Sequence, residues 1–172
     1  HLFNKLPCIL LFLTGVVVLT ACHEHSATDK KTFRYNEPTG IATLDPAFAK
    51  NQSIIWPVHQ LYNTLVQTDS QLNIIPSLAA SWEISPNNLV YRFHLRNDVY
   101  FQDNDAFPGG KGRKMLASDI VYSLSRIIDK KTASSGAWIF NERIAGPQAF
   151  LAPDDSTFEL ELLTPFHPML GL

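Results

Sequence analysis

The first candidates for chemistry in this chain are two acid pairs, Asp103/Asp105 and Asp154/Asp155, a histidine at 94, and a glycine-rich stretch from Pro108 to Lys114. Paired carboxylates could share general acid–base work. Both pairs, however, fall in turn-rich sequence, where Asp is favoured because its side chain bonds the nearby backbone. His94 stands on the polar face of an alternating run and reads as an exposed or hydrogen-bonded strand residue rather than a base. The stretch Pro108, Gly109, Gly110, Lys111, Gly112, Arg113, Lys114 suggests a phosphate cradle. A P-loop needs GxxxxGK followed by Ser or Thr, between a strand and a helix, and neither the spacing nor the hydroxyl is here. It reads instead as a flexible, basic surface excursion within a long loop at 102–114. No GxSxG or HExxH occurs, and no cysteine follows residue 22, so no thiol nucleophile is available to the folded part. The residues point away from an enzyme, and they call for no cofactor and no metal.

Cys22 is the exception. Residues 9–19 (ILLFLTGVVVL) are uncharged and follow a weakly positive start with Lys5. A spanning helix takes about 20 apolar residues, so the run suits the hydrophobic core of a secretory signal instead. It ends in Leu19, Thr20, Ala21, Cys22, which resembles a bacterial lipobox, with small residues ahead of a cysteine that is acylated on sulfur. Two acyl chains are what stable anchoring takes. Residues 1–21 are expected to be a lipoprotein signal peptide, with Cys22 as the lipidation site and 22–32 as a polar tether. Within the tether, His23, Glu24 and His25 could be taken for a metal-binding triplet. Adjacent residues on a polar tail make a poor chelate without outer support, and the tether reading stands. Residue 1 is His rather than Met, which suggests that the true start lies upstream.

Composition narrows the rest. The 172 residues are 45% hydrophobic and 17% charged, which excludes wholesale disorder and low-complexity scaffolds. The net charge is −2, and −3 once residues 1–21 are set aside with Lys5. A nucleic-acid binder relies on the opposite balance, so no nucleic acid is expected as partner. With cysteines only at 8 and 22, neither a disulfide framework nor a CxxC zinc site can hold the fold.

The positioning elements follow from periodicity. Residues 33–37 alternate and are rich in β-formers before Pro38, Thr39 and Gly40 break them, predicting a short strand and a loop. Ile54, Ile55, Val58, Leu61, Tyr62 and Leu65 fall at helical spacing, predicting a helix over 53–65 with Trp56 and Pro57 in its first turn. Residues 66–72 read as strand, turn, strand. Residues 82–84 and 89–96 flank a Pro-Asn-Asn turn, predicting a hairpin with Leu89, Tyr91, Phe93 and Leu95 on one face. A second helix opens at Ala117 or Ser118 and runs to Asp129, with Ile120, Val121, Leu124, Ile127 and Ile128 as its buried stripe. A loop at 130–137, a turn at 153–156 and a strand at 157–162 complete the pattern. Short strands with two good helices and no regular βαβ alternation predict an α+β fold.

Several segments in order carry a resemblance. They are Thr43, Leu44, Asp45, Pro46; then 61–66 (LYNTLV), 76–83 (PSLAASWE), 91–101 (YRFHLRNDVYF) and 117–124 (ASDIVYSL). The set resembles the solute-binding proteins of ABC importers for oligopeptides and dipeptides, with nickel-carrier relatives, over roughly residues 33–165. The resemblance implies a periplasmic binding protein type II-like fold of which 33–46 would be the first strand and loop of lobe I, and 47–172 the smaller α+β subdomain. Members are much longer, so the chain is expected to be an amino-terminal part, with Leu172 near the return to the first lobe. It further implies an oligopeptide or dipeptide ligand, an ABC permease with its ATPase subunits as partners, and a lipid-anchored place on the periplasmic side of the cell envelope. By the same carry-over, Thr39, Gly40, Ile41 and Ala42 would reach the ligand, with a plain strand-ending turn as the other reading. Two features depart from the family pattern. The loop at 102–116 is long, and Leu116 stands where a Thr helix cap is common, a loss of about 1 kcal/mol unless Ser118 substitutes. A surface or structural lipoprotein without transport role is the alternative.

Overall fold

In the computed structural model, residues 34–171 are described; Cys22 and the expected signal, tether and His-Glu-His triplet lie outside them. The alternating run at 89–96 becomes the centre of the molecule. Its residues form β4 (Val90–Leu95), which pairs antiparallel with β3 (Ala79–Ile84) on one side and β6 (Thr157–Glu161) on the other. A fourth strand, β5 (Phe150–Asp154), closes the sheet in the order β3-β4-β6-β5. Register places Tyr91 opposite Leu160, Leu160 opposite Phe150, and Phe93 opposite Phe158, so one face carries a continuous apolar row. Phe93 and Phe158 stack at 6.0 Å, and Phe140 meets Phe150 edge-on at 5.2 Å, within the range where aromatic pairs add to burial. Phe158 is 1% exposed and Tyr91 2%. The Tyr91 hydroxyl donates to the Phe166 carbonyl at 3.2 Å, and burial raises its pKa.

Helix α2 (Ala117–Ile128) covers that face, packing on β5 and β6 with Ile120 buried and Val121, Leu124, Ile127 and Ile128 against the core, as its spacing predicts. Its start is held without a hydroxyl cap. The Leu116 N–H donates to the Asp119 carboxylate at 2.9 Å, and the Ala117 N–H to the Asp155 carbonyl at 2.9 Å. The Asp119 carboxylate thus takes up the Leu116 N–H, while the Asp119 N–H turns to the Leu116 carbonyl at 3.0 Å rather than to a Thr or Ser118 hydroxyl.

Helix α1 (Gln52–Leu61) starts at Asn51, whose side chain accepts from the Ile54 N–H. It is shorter than predicted, because Tyr62 turns extended. Pro57 is therefore its sixth residue rather than part of the first turn, and the Ser53 carbonyl is left without its helical donor. The strand-turn-strand expected over 66–72 extends further: β1 (Val66–Thr68) pairs antiparallel with β2 (Ile74–Pro76), beyond the expected span, across a turn closed by Asp69 accepting from the N–H groups of Gln71 and Asn73.

Two expectations give way. Arg34 to Glu37 do not pair into a sheet among the described residues, since extended backbone becomes a strand only through a neighbour's hydrogen bonds. Strand β5 went unpredicted because Pro153 lacks a donor and reads as a turn; the sheet tolerates it at an edge, with irregular register between Leu151 and Asp154. Among the described residues no helix is long and apolar enough to cross a membrane.

Candidate functional site

Thr39, Gly40, Ile41 and Ala42 fall in and just after a tight turn that begins at Glu37. The Glu37 side chain closes it: Oε1 accepts from the Thr39 N–H at 3.2 Å and from its hydroxyl at 2.6 Å. The Gly40 N–H donates to the Glu37 carbonyl at 3.3 Å, with Gly40 at φ +73°. Glycine is required there by the left-handed backbone and not by crowding, because an added Cβ would meet nothing within 4 Å. All four residues are exposed, Ile41 to 45%. The turn thus offers backbone groups, one hydroxyl and one apolar side chain to an approaching molecule. That is the chemistry by which extended peptides are held, through main-chain hydrogen bonds with tolerant side-chain contacts.

A second cluster of contacts follows at Asp45. Asp45, followed by Pro46, caps a single helical turn at Pro46–Phe48 by accepting from the Ala47 N–H at 3.0 Å. The same carboxylate receives Arg126 from the last turn of α2 in a two-point pair, at 3.2 and 2.7 Å. Ser134, just past α2, donates its hydroxyl to the Ala47 carbonyl. The Arg126 guanidinium, aided by the Ala47 N–H, holds the Asp45 carboxyl below its ordinary value despite some desolvation. In the sequence Asp45 stands out only within the motif Thr43, Leu44, Asp45, Pro46. Its partner is 81 residues away, and nothing local announces it.

The glycine-rich excursion is not a phosphate cradle. Asp103 fills it, accepting from the Gly112 N–H at 3.0 Å and from Lys111 at 2.6 Å. Nor is it loosely held, as expected from sequence. Tyr100 bridges to Lys114, the Phe101 N–H donates to the Arg113 carbonyl, and Arg113 lies 4.9 Å over the Phe101 ring. Arg113 also pairs with Asp119 through both nitrogens, tying the excursion to the start of α2 and lowering the Asp119 pKa. A Cβ on Gly112 would lie 1.8 Å from the Phe101 carbonyl oxygen, so the strand-like return has room for glycine alone.

Asp154 and His94 have structural partners. Asp154 accepts from the Ser156 N–H and hydroxyl, both at 2.8 Å, which closes the β5–β6 turn. His94 sits half-buried with Nε2 3.3 Å from the Glu83 carboxylate, beside the Arg92–Glu159 pair on the outer face of the sheet. Among the described residues no group of three or more His, Cys, Asp or Glu is placed to hold a metal ion.

Comparison with known proteins gives this arrangement a context. The family described as bacterial extracellular solute-binding proteins, family 5 Middle, matches residues 73–172. The peptide transport periplasmic protein SapA of Salmonella typhimurium is 42% identical over 93 residues, covering 53% of this chain and 17% of that protein. The periplasmic binding protein DppA of Helicobacter pylori, solved with the peptide STSA, superposes with a TM-score of 0.64 at 33% identity over 76% of this chain and 27% of its own. NikZ of Campylobacter jejuni, solved with Ni(L-His), gives 0.62 at 26% identity over 77% of this chain and 24% of its own. The chain therefore matches about a sixth to just over a quarter of these relatives' length, and its fold is that of part of a type II periplasmic binding protein. The α+β fold and the family match over residues 73–172 agree: the chain belongs to the bacterial extracellular solute-binding proteins, family 5.

Proposed function

We propose that the protein captures oligopeptides or dipeptides on the periplasmic side of the cell envelope and delivers them to an ABC permease driven by its ATPase subunits. The family match over residues 73–172 carries this reading. Relatives named for peptide transport or solved with a bound peptide support the ligand class. Receptors of this kind work by closing two lobes around the ligand. In that scheme Thr39, Gly40, Ile41 and Ala42 are the contribution of this segment to the ligand, through backbone groups the glycine turn leaves accessible. The protein binds without turnover, and Cys22 carries the lipid that keeps it at the membrane.

The test uses a receptor of the relatives' full length that bears this segment, titrated with Ser-Thr-Ser-Ala and a panel of dipeptides. A ligand at 100-fold excess over Kd stabilises by about 2.7 kcal/mol, readable as a rise in Tm. A flat Tm across the panel would favour a surface or structural lipoprotein, and peptide cleavage would favour an enzyme. Growth with an alkyne-bearing palmitate should label the wild type and leave Cys22→Ser unlabelled; equal labelling of both would remove the anchor.

A further inference from the structure

The glycine turn serves a ligand only if it is held in place, and on its upstream side it is closed by Glu37. Downstream, the first long-range fastening is at Asp45, three residues beyond Ala42. Three residues of extended chain span roughly 10 Å, so wherever Asp45 is fixed, the turn is confined to that neighbourhood.

Asp45 is fixed from several directions at once. Its backbone N–H donates to the Thr43 hydroxyl at 3.1 Å, its carboxylate caps the Ala47 N–H, and its carbonyl receives the Phe48 N–H at 3.1 Å. These contacts order residues 43–48 among themselves without attaching them to the rest of the fold. Attachment comes from the burial of Ala47, which is 4% exposed, from Arg126 in the last turn of α2, and from the Ser134 hydroxyl on the Ala47 carbonyl in the loop that follows. Helix α2 is in turn seated on β5 and β6 by its apolar stripe. A guanidinium meeting a carboxylate at two points constrains direction as well as distance, which a lone ammonium does not.

We propose that the Asp45–Arg126 pair is a positioning clasp that locks the turn at Thr39 to Ala42 to α2, and through α2 to the sheet. This rests on the reading of that turn as ligand-facing. Arg126 is thereby a specificity-supporting residue that never meets the ligand. The clasp works at a distance, by limiting the volume the turn explores and so the ordering cost a ligand must overcome.

Amide hydrogen exchange on the 172-residue chain tests the clasp without any ligand. Arg126→Gln should speed exchange of the amides from Thr39 to Ala49 by about tenfold, while those of β4 and β6 stay as in the wild type. Arg126→Lys, which keeps the charge but offers one point of contact, should recover part of the protection. Unchanged exchange at 39–49 in Arg126→Gln overturns the clasp. So does an equal rise in β4 and β6, which would make Arg126 a general stability residue. Affinity is read separately, with Arg126→Gln in a receptor of the relatives' length titrated with Ser-Thr-Ser-Ala. A Kd weaker by about tenfold supports the positioning role, on the scale of one charge-assisted contact. Faster exchange with an unchanged Kd keeps the turn fastened by the pair but removes it from the ligand, which defeats the assignment of residues 39–42 and not the clasp.

Discussion

Two polar, glycine-bearing segments of this protein are held in opposite ways. The excursion from Tyr100 to Lys114 closes on itself: a backbone bridge at its base, Asp103 across its neck, and a glycine at 112 where the two limbs touch. The segment from Glu37 to Ala49 has local turns at each end and is tied to residues far along the chain by Arg126, by Ser134 and by the burial of Ala47. Sequence separation decides which kind of segment can be read in advance. A closed excursion needs only its own residues, whereas a fastened segment needs a partner that the chain supplies much later. The difference also predicts how each fails. The excursion should break by steric conflict, the fastened segment by loss of charge.

The sharpest break is Gly112→Ala. With backbone 1.8 Å from the new Cβ, the limbs must part and carry Arg113 off Asp119; a loss of about 3 kcal/mol is expected, readable as a falling denaturant midpoint. A midpoint within experimental error of the wild type would mean that the limbs are not closed. Next is Asp119→Asn, which weakens both the Arg113 pair and the hold on the Leu116 N–H, for about 1 kcal/mol by the same measurement. Asp45→Asn keeps an acceptor for the Ala47 N–H and loses the charge pair. It should therefore change the midpoint less than Asp119→Asn while raising proteolytic nicking between residues 37 and 49. Nicking at 100–114 instead would reverse the comparison. Lys111→Ala stands last, since an exposed pair contributes little and the Gly112 N–H keeps its bond to Asp103; no measurable shift in midpoint is expected.

Acid should act on both segments in the same direction. Arg126 lowers the pKa of Asp45, Lys111 that of Asp103, and Arg113 that of Asp119. A carboxyl lowered on folding adds stability that is complete above its unfolded value of about 3.9 and disappears as pH falls through its folded value. Below about pH 4 the wild type should lose stability, and Asp45→Asn should show a shallower slope than the wild type over that range. Parallel slopes would indicate that the Asp45 pair is not formed in solution.

The helices show the same division between what is local and what is not. Spacing predicts the apolar stripe of α2, and the sheet covers it. The stripe of α1 was predicted as well, yet only Ile54 and Val58 are buried, while Ile55 is 41% exposed and Leu61 60%. Periodicity states which face is apolar and says nothing of what covers it. Pro57 shows a boundary effect of the same kind. Proline suggested a first turn, but Asn51 starts the helix early enough to place it in the interior.

Legible along the chain are the α+β class, the β3–β4 hairpin, the inward face of β4, the α2 stripe and, through ordered motifs, the family. All of these rest on spacings within about a dozen residues or on side-chain types in line. Folding settles that Pro153 sits in an edge strand, that Asp119 holds the Leu116 N–H at the uncapped start of α2, that Asp103 fills the glycine-rich loop, and that Asp45 belongs to Arg126. Each depends on which residues the folded chain brings within hydrogen-bond distance, and that is set by packing across the sheet rather than by neighbours in sequence.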